Sequence, residues 1–254
     1  MAAILEARAL NKTFGAVTAA ADINAAFDPD SIVGLIGSNG AGKTTFINMV
    51  TGYLKPTSGT IVYEGRDITA LSPRDITQLG ICRSFQIPQL FNSLTVTENL
   101  QVGVGIAARS PRGRQTKSDE AEQVESLIER YSLRDYRHQS AGLLPEGVRK
   151  LLDIAMAVAG KPRILLLDEP TSGVSADEKF RLMDMVMSAL RSEGVTVLFV
   201  EHDMEIVARY TQRVLAFYEG RIIADATPDI ALQDESVRRF VIGDVHAAAG
   251  IGHD

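Results

Sequence analysis

The chain has one cysteine, no tryptophan, no long uninterrupted apolar run and no excess of positive charge. Three of these lacks each remove a class of protein. A single thiol, Cys82, cannot form a disulfide within the chain, which fits a reducing compartment and sets aside disulfide-stapled scaffolds. Within Gly80-Ile81-Cys82 it reads as a buried strand residue. No stretch approaches the ~20 apolar residues needed to cross a bilayer. The start, Met1-Ala2-Ala3-Ile4-Leu5-Glu6, lacks the apolar segment of a secretory signal, so any membrane role is expected to be borrowed from a partner. Lys and Arg number 26 against 32 Asp and Glu, a net charge of −6. A nucleic-acid surface calls for a basic stripe, and no nucleic-acid partner is expected. The densest basic stretch, Arg109, Arg112, Arg114 and Lys117, lies among Ser, Pro and Gly and reads as a solvated loop.

What is present is a globular balance, 45% apolar and 23% charged over 254 residues, enough for one larger α/β domain or two small ones. Residues 4–11 and 23–27 read as short strands, and 31–36 as a buried strand ending at Gly37. Helical spacing runs from Gly42 to residue 53. Glu64-Gly65 and Glu219-Gly220 mark the turns of two hairpins, 60–68 and 213–224. Residues 97–160 are richer in helical patterns, with one stripe of Val124, Leu127, Ile128 and Tyr131 and another of Leu151, Ile154, Ala155 and Val158. The apolar runs 164–167 and 195–200 read as buried strands, separated by a helix over 177–191 with Phe180, Met183, Met187 and Leu190 on one face. This alternation implies a mainly parallel sheet covered on both faces. Ligands of such sheets sit beyond the C-terminal ends of the strands.

Two motifs fall at those ends. Gly37-Ser38-Asn39-Gly40-Ala41-Gly42-Lys43-Thr44 is a P-loop, with a buried strand before it and a helix after it. Its glycines let backbone N–H groups turn inward around phosphates, and the helix N-terminus adds partial positive charge. Lys43 supplies a mobile cation for the β- and γ-phosphates and Thr44 a hydroxyl for Mg²⁺; Thr45 follows in the same phosphate-binding turn. The second motif, Ile164-Leu165-Leu166-Leu167-Asp168-Glu169-Pro170, is a buried strand ending in two carboxylates. Asp168 suits a water-bridged Mg²⁺, and Glu169 is then placed to orient or deprotonate a water.

Over nearly its whole length, to about Gly243, the chain resembles the ABC ATPase family. Phe14, in Lys12-Thr13-Phe14-Gly15, matches the aromatic that stacks on adenine, and Gln86, in Arg83-Ser84-Phe85-Gln86, the glutamine that approaches Mg²⁺ and senses the membrane partner. Leu144-Pro145-Glu146-Gly147-Val148 stands where the family signature Leu-Ser-Gly-Gly-Gln belongs, and Asp168 follows Gly147 by 21 residues. Ser172-Gly173-Val174-Ser175 matches the D-loop, and His202, in Val200-Glu201-His202-Asp203, the histidine that meets the γ-phosphate. The branched-chain amino acid importer type is the nearest likeness, through Gly34-Leu35-Ile36-Gly37, Thr51-Gly52-Tyr53, Leu90-Phe91, Leu94-Thr95-Val96-Thr97-Glu98-Asn99 and Glu201-His202-Asp203-Met204.

The resemblance implies an α/β fold. A P-loop NTPase (RecA-like) core with a mainly parallel sheet covers about residues 1–90 and 161–225. It carries an N-terminal antiparallel β subdomain and an inserted helical subdomain over about 91–160, followed by C-terminal helices over about 228–243 and a flexible tail over 244–254. It further implies an ATP- and Mg²⁺-dependent ATPase, peripheral on the inner, cytoplasmic face of the cell membrane. Its partners would be a homologous ATPase subunit and two transmembrane permease subunits, with a solute-binding protein acting indirectly. The surface that grips a membrane subunit is expected around 86–99, where Ile87, Leu90 and Phe91 are apolar. Cofactor contacts fall on Phe14, Gly37 to Thr45 and Gly147, metal contacts on Thr44, Gln86 and Asp168, and catalysis on Glu169 and His202.

Two departures stand out. Pro145 replaces the signature serine, and Glu146 its first glycine; Ser175 replaces the usual Asp or Asn of the D-loop. Pro145 has neither hydroxyl nor N–H, and Glu146 brings negative charge towards a γ-phosphate. A homodimer would place this signature in both sites, which favours a heterodimer; the other arrangement has Glu146 turned outward and both sites active. A non-transport ABC ATPase, or a regulatory subunit that binds ATP with little hydrolysis, is the alternative function.

Overall fold

The computed structural model describes residues 2–84, 89–108 and 117–243. In chain order the strands are β1 (Leu5–Phe14), β2 (Val17–Phe27), β3 (Ile32–Gly37), β4 (Ser58–Tyr63), β5 (Arg66–Asp67), β6 (Ile81–Arg83), β7 (Ile164–Asp168), β8 (Thr196–Val200), β9 (Arg213–Tyr218) and β10 (Arg221–Ala226). The helices are α1 (Lys43–Val50), α2 (Pro73–Gln78), α3 (Val96–Ala108), α4 (Lys117–Arg130), α5 (Glu146–Val158), α6 (Ala176–Ser192) and α7 (Met204–Tyr210), followed by short helical turns. Two compact units divide these elements: one holds residues up to Pro73 and from Leu198 onward, the other Arg74–Val197.

In the first unit, β1, β2, β4 and β5 form an antiparallel sheet in the order β2-β1-β4-β5. β9 pairs parallel with β3 and antiparallel with β10. Both two-residue hairpin turns place Glu and Gly at positive φ: Glu64 at 47° and Gly65 at 77°, Glu219 at 46° and Gly220 at 76°. That is the turn whose twist matches the strands it joins. β3 is buried along its whole length, as a parallel strand covered on both faces must be. The Phe27, Phe46 and Phe217 rings pack in series, with centroids 6.1 and 5.7 Å apart, tying β2, α1 and β9 into one core.

The second unit pairs β6 parallel with β7, and α5 packs against both. Val124, Leu127, Ile128 and Tyr131 are all buried, as are Leu151, Ile154, Ala155 and Val158 of α5. Cys82 is buried in β6. On α6 the buried face is Leu182, Met183, Val186, Met187, Ala189 and Leu190. Phe180 is only half-buried and lies beside the Lys179 ammonium, 5.0 Å from its ring centroid. The helical period that includes it over-extends the stripe by one turn into the exposed N-terminal end.

Candidate functional site

The P-loop belongs to the first unit and is fixed by main-chain contacts. The Gly220 N–H donates to the Ala41 carbonyl at 2.9 Å, and the Ala21 N–H to the Gly220 carbonyl at 2.8 Å. The loop is therefore pinned to β2 and to the β9–β10 turn. A side chain has no room at its ends: a Cβ on Gly37 would stand 2.6 Å from the Phe217 carbonyl oxygen, and one on Gly42, at φ 108°, 2.8 Å from that of Ala19. Between these ends Ser38, Asn39 and Gly40 face solvent, and a Cβ on Gly40 would meet nothing within 4 Å. The middle of the loop thus lies open to solvent at the start of α1, where the first helix N–H groups lack intrahelical partners. Lys43 is buried, and its ammonium donates to the carbonyls of Gly37 at 2.5 Å and Ser38 at 3.1 Å. Thr44 is exposed and Thr45 half-buried. A buried lysine beside a solvent-open glycine loop at a helix start suits a polyphosphate.

Two more sequence-identified residues lie in the same unit. Phe14 ends β1 with 52% of its surface exposed and the Lys12 ammonium 5.1 Å from its ring centroid. His202 follows β8 and is exposed; its main-chain N–H donates at 3.2 Å to the carboxylate of buried Glu201. Asp203 then caps α7, accepting from the Glu205 and Ile206 N–H groups at 3.0 and 3.3 Å, so a helix start fixes the backbone beside the histidine.

The second unit carries the acidic strand end and the signature. Asp168 is buried at the end of β7 and ion-paired with Arg83 of β6, both side chains about a tenth exposed. The sequence showed Arg83 only as a letter of a motif, since nothing local announces a partner 85 residues away. Removing one member of a buried pair leaves an uncompensated charge, at a cost of about 3–5 kcal/mol, so Arg83 fixes the Asp168 carboxylate at the strand end. Glu169 is half-buried at φ 49°, a left-handed conformation for a residue with a Cβ. Its carbonyl accepts from the Ser172 N–H at 3.1 Å and the Lys150 ammonium at 3.2 Å.

In the signature, Pro145 occupies the N-cap of α5 at φ −56° and ψ 151°, one position before the first helical turn, and makes no side-chain capping bond. Glu146 is the first helical residue. Its carboxylate lies 4.0 Å from Nε of Arg149, one turn further along α5, with 48% of the side chain exposed. Its Cγ also lies 3.5 Å from where a Cβ on Gly173 of the D-loop would stand. Gly147 has no crowding of its own: a Cβ there would meet only Leu182 Cδ1 at 4.0 Å. Gln86 and Ile87 lie outside the described residues, as do Arg109, Arg112 and Arg114 of the basic stretch and the tail after Gly243. Phe91 is exposed and Leu90 half-buried, on a loop stapled by buried Asn99, whose side chain bonds both the N–H and the carbonyl of Phe91.

Comparison with known proteins converges on one family. The ABC transporter family model matches residues 20–172. The chain is 32% identical over 250 residues to the high-affinity branched-chain amino acid transport ATP-binding protein LivG of Escherichia coli (strain K12), covering 95% of this chain and 98% of LivG. It is 34% identical over 244 residues to the lipopolysaccharide export system ATP-binding protein LptB of Haemophilus influenzae, covering 95% and 98%. The ADP conformation of MJ1267, an ATP-binding cassette of an ABC transporter, superimposes with a TM-score of 0.82 at 28% identity, covering 96% of this chain and all of that one. Sequence, fold and a backbone cradle shaped for phosphate thus agree, and the chain belongs to the ABC transporter family as one of its ATP-binding ATPase subunits.

Proposed function

We propose that this chain hydrolyses ATP to drive uptake of a small solute, a branched-chain amino acid or a related amino acid, amide or aromatic acid, through a membrane-embedded permease. The observation that carries the ATP half of this reading is the P-loop: both ends locked by backbone contact, its middle open, its lysine resting on loop carbonyls. The likeness to LivG supports the solute, and the motifs shared with the importer type favour import over the export performed by LptB. No helix among the described residues is long and apolar enough to cross a membrane. The likeness to transporter ATP-binding subunits supports a place on the inner face of the membrane, docked on two permease subunits, with Phe91 and Leu90 in the contact.

In this reading Lys43 exchanges the Gly37 and Ser38 carbonyls for phosphate oxygens, and the P-loop amides hold the β-phosphate. Phe14 offers one ring face to adenine while Lys12 covers the other. Thr44, Asp168 and Gln86 would hold Mg²⁺, which neutralises charge on the β- and γ-oxygens when bound. Glu169 orients and deprotonates the attacking water, and His202 contacts the γ-phosphate. Gly147 is a glycine that nothing among the described residues crowds, which supports a role towards the nucleotide of a second ATPase subunit. Pro145 and Glu146 disfavour that role, because α5 begins with its own carboxylate in the first turn, where a helix start attracts anions. A homologous partner with an intact signature is therefore preferred to a second copy, and this chain's own site, completed by that partner, is the working one.

The test uses the assembled transporter in proteoliposomes, wild type against Glu169→Gln, with ATP-driven uptake of labelled leucine and phosphate release measured together. Loss of a general base costs about 10²–10⁴-fold, so both rates should fall by that order. Nearly full turnover in the variant would refute the assignment of the working site. Phosphate release without leucine uptake in the wild type would refute leucine as the solute.

A further inference from the structure

Helix α5 begins at the signature and buries two charged side chains on one face, Lys150 and Asp153, 3% and 7% exposed. A buried charge is costly unless polar groups receive it. Each of these two reaches a different functional segment. The Lys150 ammonium donates to the Glu169 carbonyl at 3.2 Å. Asp153 accepts the Gln89 N–H at 3.0 Å, three residues beyond Gln86. Thus one rigid helix is hydrogen-bonded both to the residue assigned as base and to the end of the loop assigned to the membrane partner. Glu169 needs such support. At φ 49° it sits where a residue with a Cβ is strained, and strained backbone persists only where its surroundings hold it. The Ser172 N–H on its carbonyl comes from the same turn; the Lys150 ammonium comes from another element, α5.

We propose that Lys150 is a positioning residue for ATP hydrolysis: by gripping the Glu169 carbonyl it sets the left-handed turn that aims the base, and so makes hydrolysis depend on where α5 stands. When the signature end of α5 or the segment after Gln86 shifts, the ammonium shifts with it and Glu169 loses its aim, without any change in the residues that bind ATP. This rests on the assignment of Glu169 as the base. The lysine takes no part in the chemistry itself, since the atom it holds is a main-chain oxygen.

The experiment compares Lys150→Met, Lys150→Gln, Lys150→Arg and Glu169→Gln in the assembled transporter. Four quantities are read: kcat, KM for ATP, affinity for ATP by equilibrium binding, and the thermal unfolding midpoint. Lys150→Met removes the donor at similar length, and kcat should fall about 10- to 10²-fold, the range in which small misplacements of catalytic groups fall, with KM and ATP affinity within about twofold of wild type. Lys150→Gln and Lys150→Arg each keep a donor and should lie between Met and wild type. Should Lys150→Met fail to fold, Lys150→Gln carries the test against wild type, with a fall of at least about fivefold in kcat at constant KM expected. Unchanged kcat in these variants overturns the proposal, as does a loss of ATP affinity that matches the loss of kcat. Glu169→Gln separates the two readings: if it retains turnover, the base assignment has failed; if it abolishes turnover while the Lys150 variants work normally, only the positioning role has failed.

Discussion

At residue scale, Gly42 shows how closely the P-loop is fitted to its neighbours. Its φ of 108° and the 2.8 Å approach that a Cβ would make to the Ala19 carbonyl oxygen leave no room for even a methyl group. Gly42→Ala should lower stability by about 1–3 kcal/mol through backbone strain alone, read by urea denaturation, and should weaken ATP binding by more than tenfold, read by equilibrium binding. That the residue is glycine was legible in the motif. That its constraint comes from β2 and the β9–β10 turn was not, because those contacts join segments far apart in sequence. The same holds for Arg83 and Lys150: in the sequence both are ordinary basic residues, and only the fold gives them Asp168 and the Glu169 carbonyl as partners. The left-handed turn at Glu169 left no trace either, since no Gly or Asn marks it.

At the scale of elements, apolar runs and helical stripes made β3, β7, β8, α4 and α5 readable, because burial on both faces or along one stripe writes itself into composition. β1 and β2 are longer than their sequence signals. They extend to Phe14 and from Val17, across an Ala-rich stretch with little intrinsic strand preference, and their pairing is broken by bulges between Ala7 and Leu10 and again before Thr13. Cross-strand bonding overrides local preference there. The start of α3 was present as letters and gains a reason: Thr95 and Glu98 form a reciprocal cap, with the Thr95 N–H donating to the Glu98 carboxylate at 2.8 Å and the Glu98 N–H to the Thr95 hydroxyl at 3.2 Å. The Thr95 amide and hydroxyl hold the Glu98 carboxyl below its ordinary pKa of 4.5. A depressed pKa means the folded state prefers the ionised form, so this support is complete above pH 4.5 and is lost as pH falls through the lower, folded value. Amide exchange at the start of α3 should therefore accelerate on acidification below pH 4.5. Glu98→Gln, which cannot ionise, should exchange at a rate independent of pH over that window once intrinsic exchange is divided out.

At the scale of the whole molecule, the first unit is built from the two ends of the chain and the second from its middle. Apolar runs and helical spacing carry the alternation of strands and helices, but β9, paired beside β3, is drawn from a segment some 180 residues later, an association that no local pattern encodes. The left-handed turn at Glu169 bears on the molecule as a whole in another way. Folding would put glycine at that position: Glu169→Gly relieves the strain, offset in part by the greater freedom of glycine in the unfolded chain. The variant should melt higher, by a few degrees for about 1 kcal/mol in a chain of this size, while phosphate release falls to background. A thermal-shift ranking of substitutions at 169 would then run opposite to an activity ranking. Selection for durability and selection for work pull this codon in opposite directions, and the glutamate that remains records which of the two has prevailed.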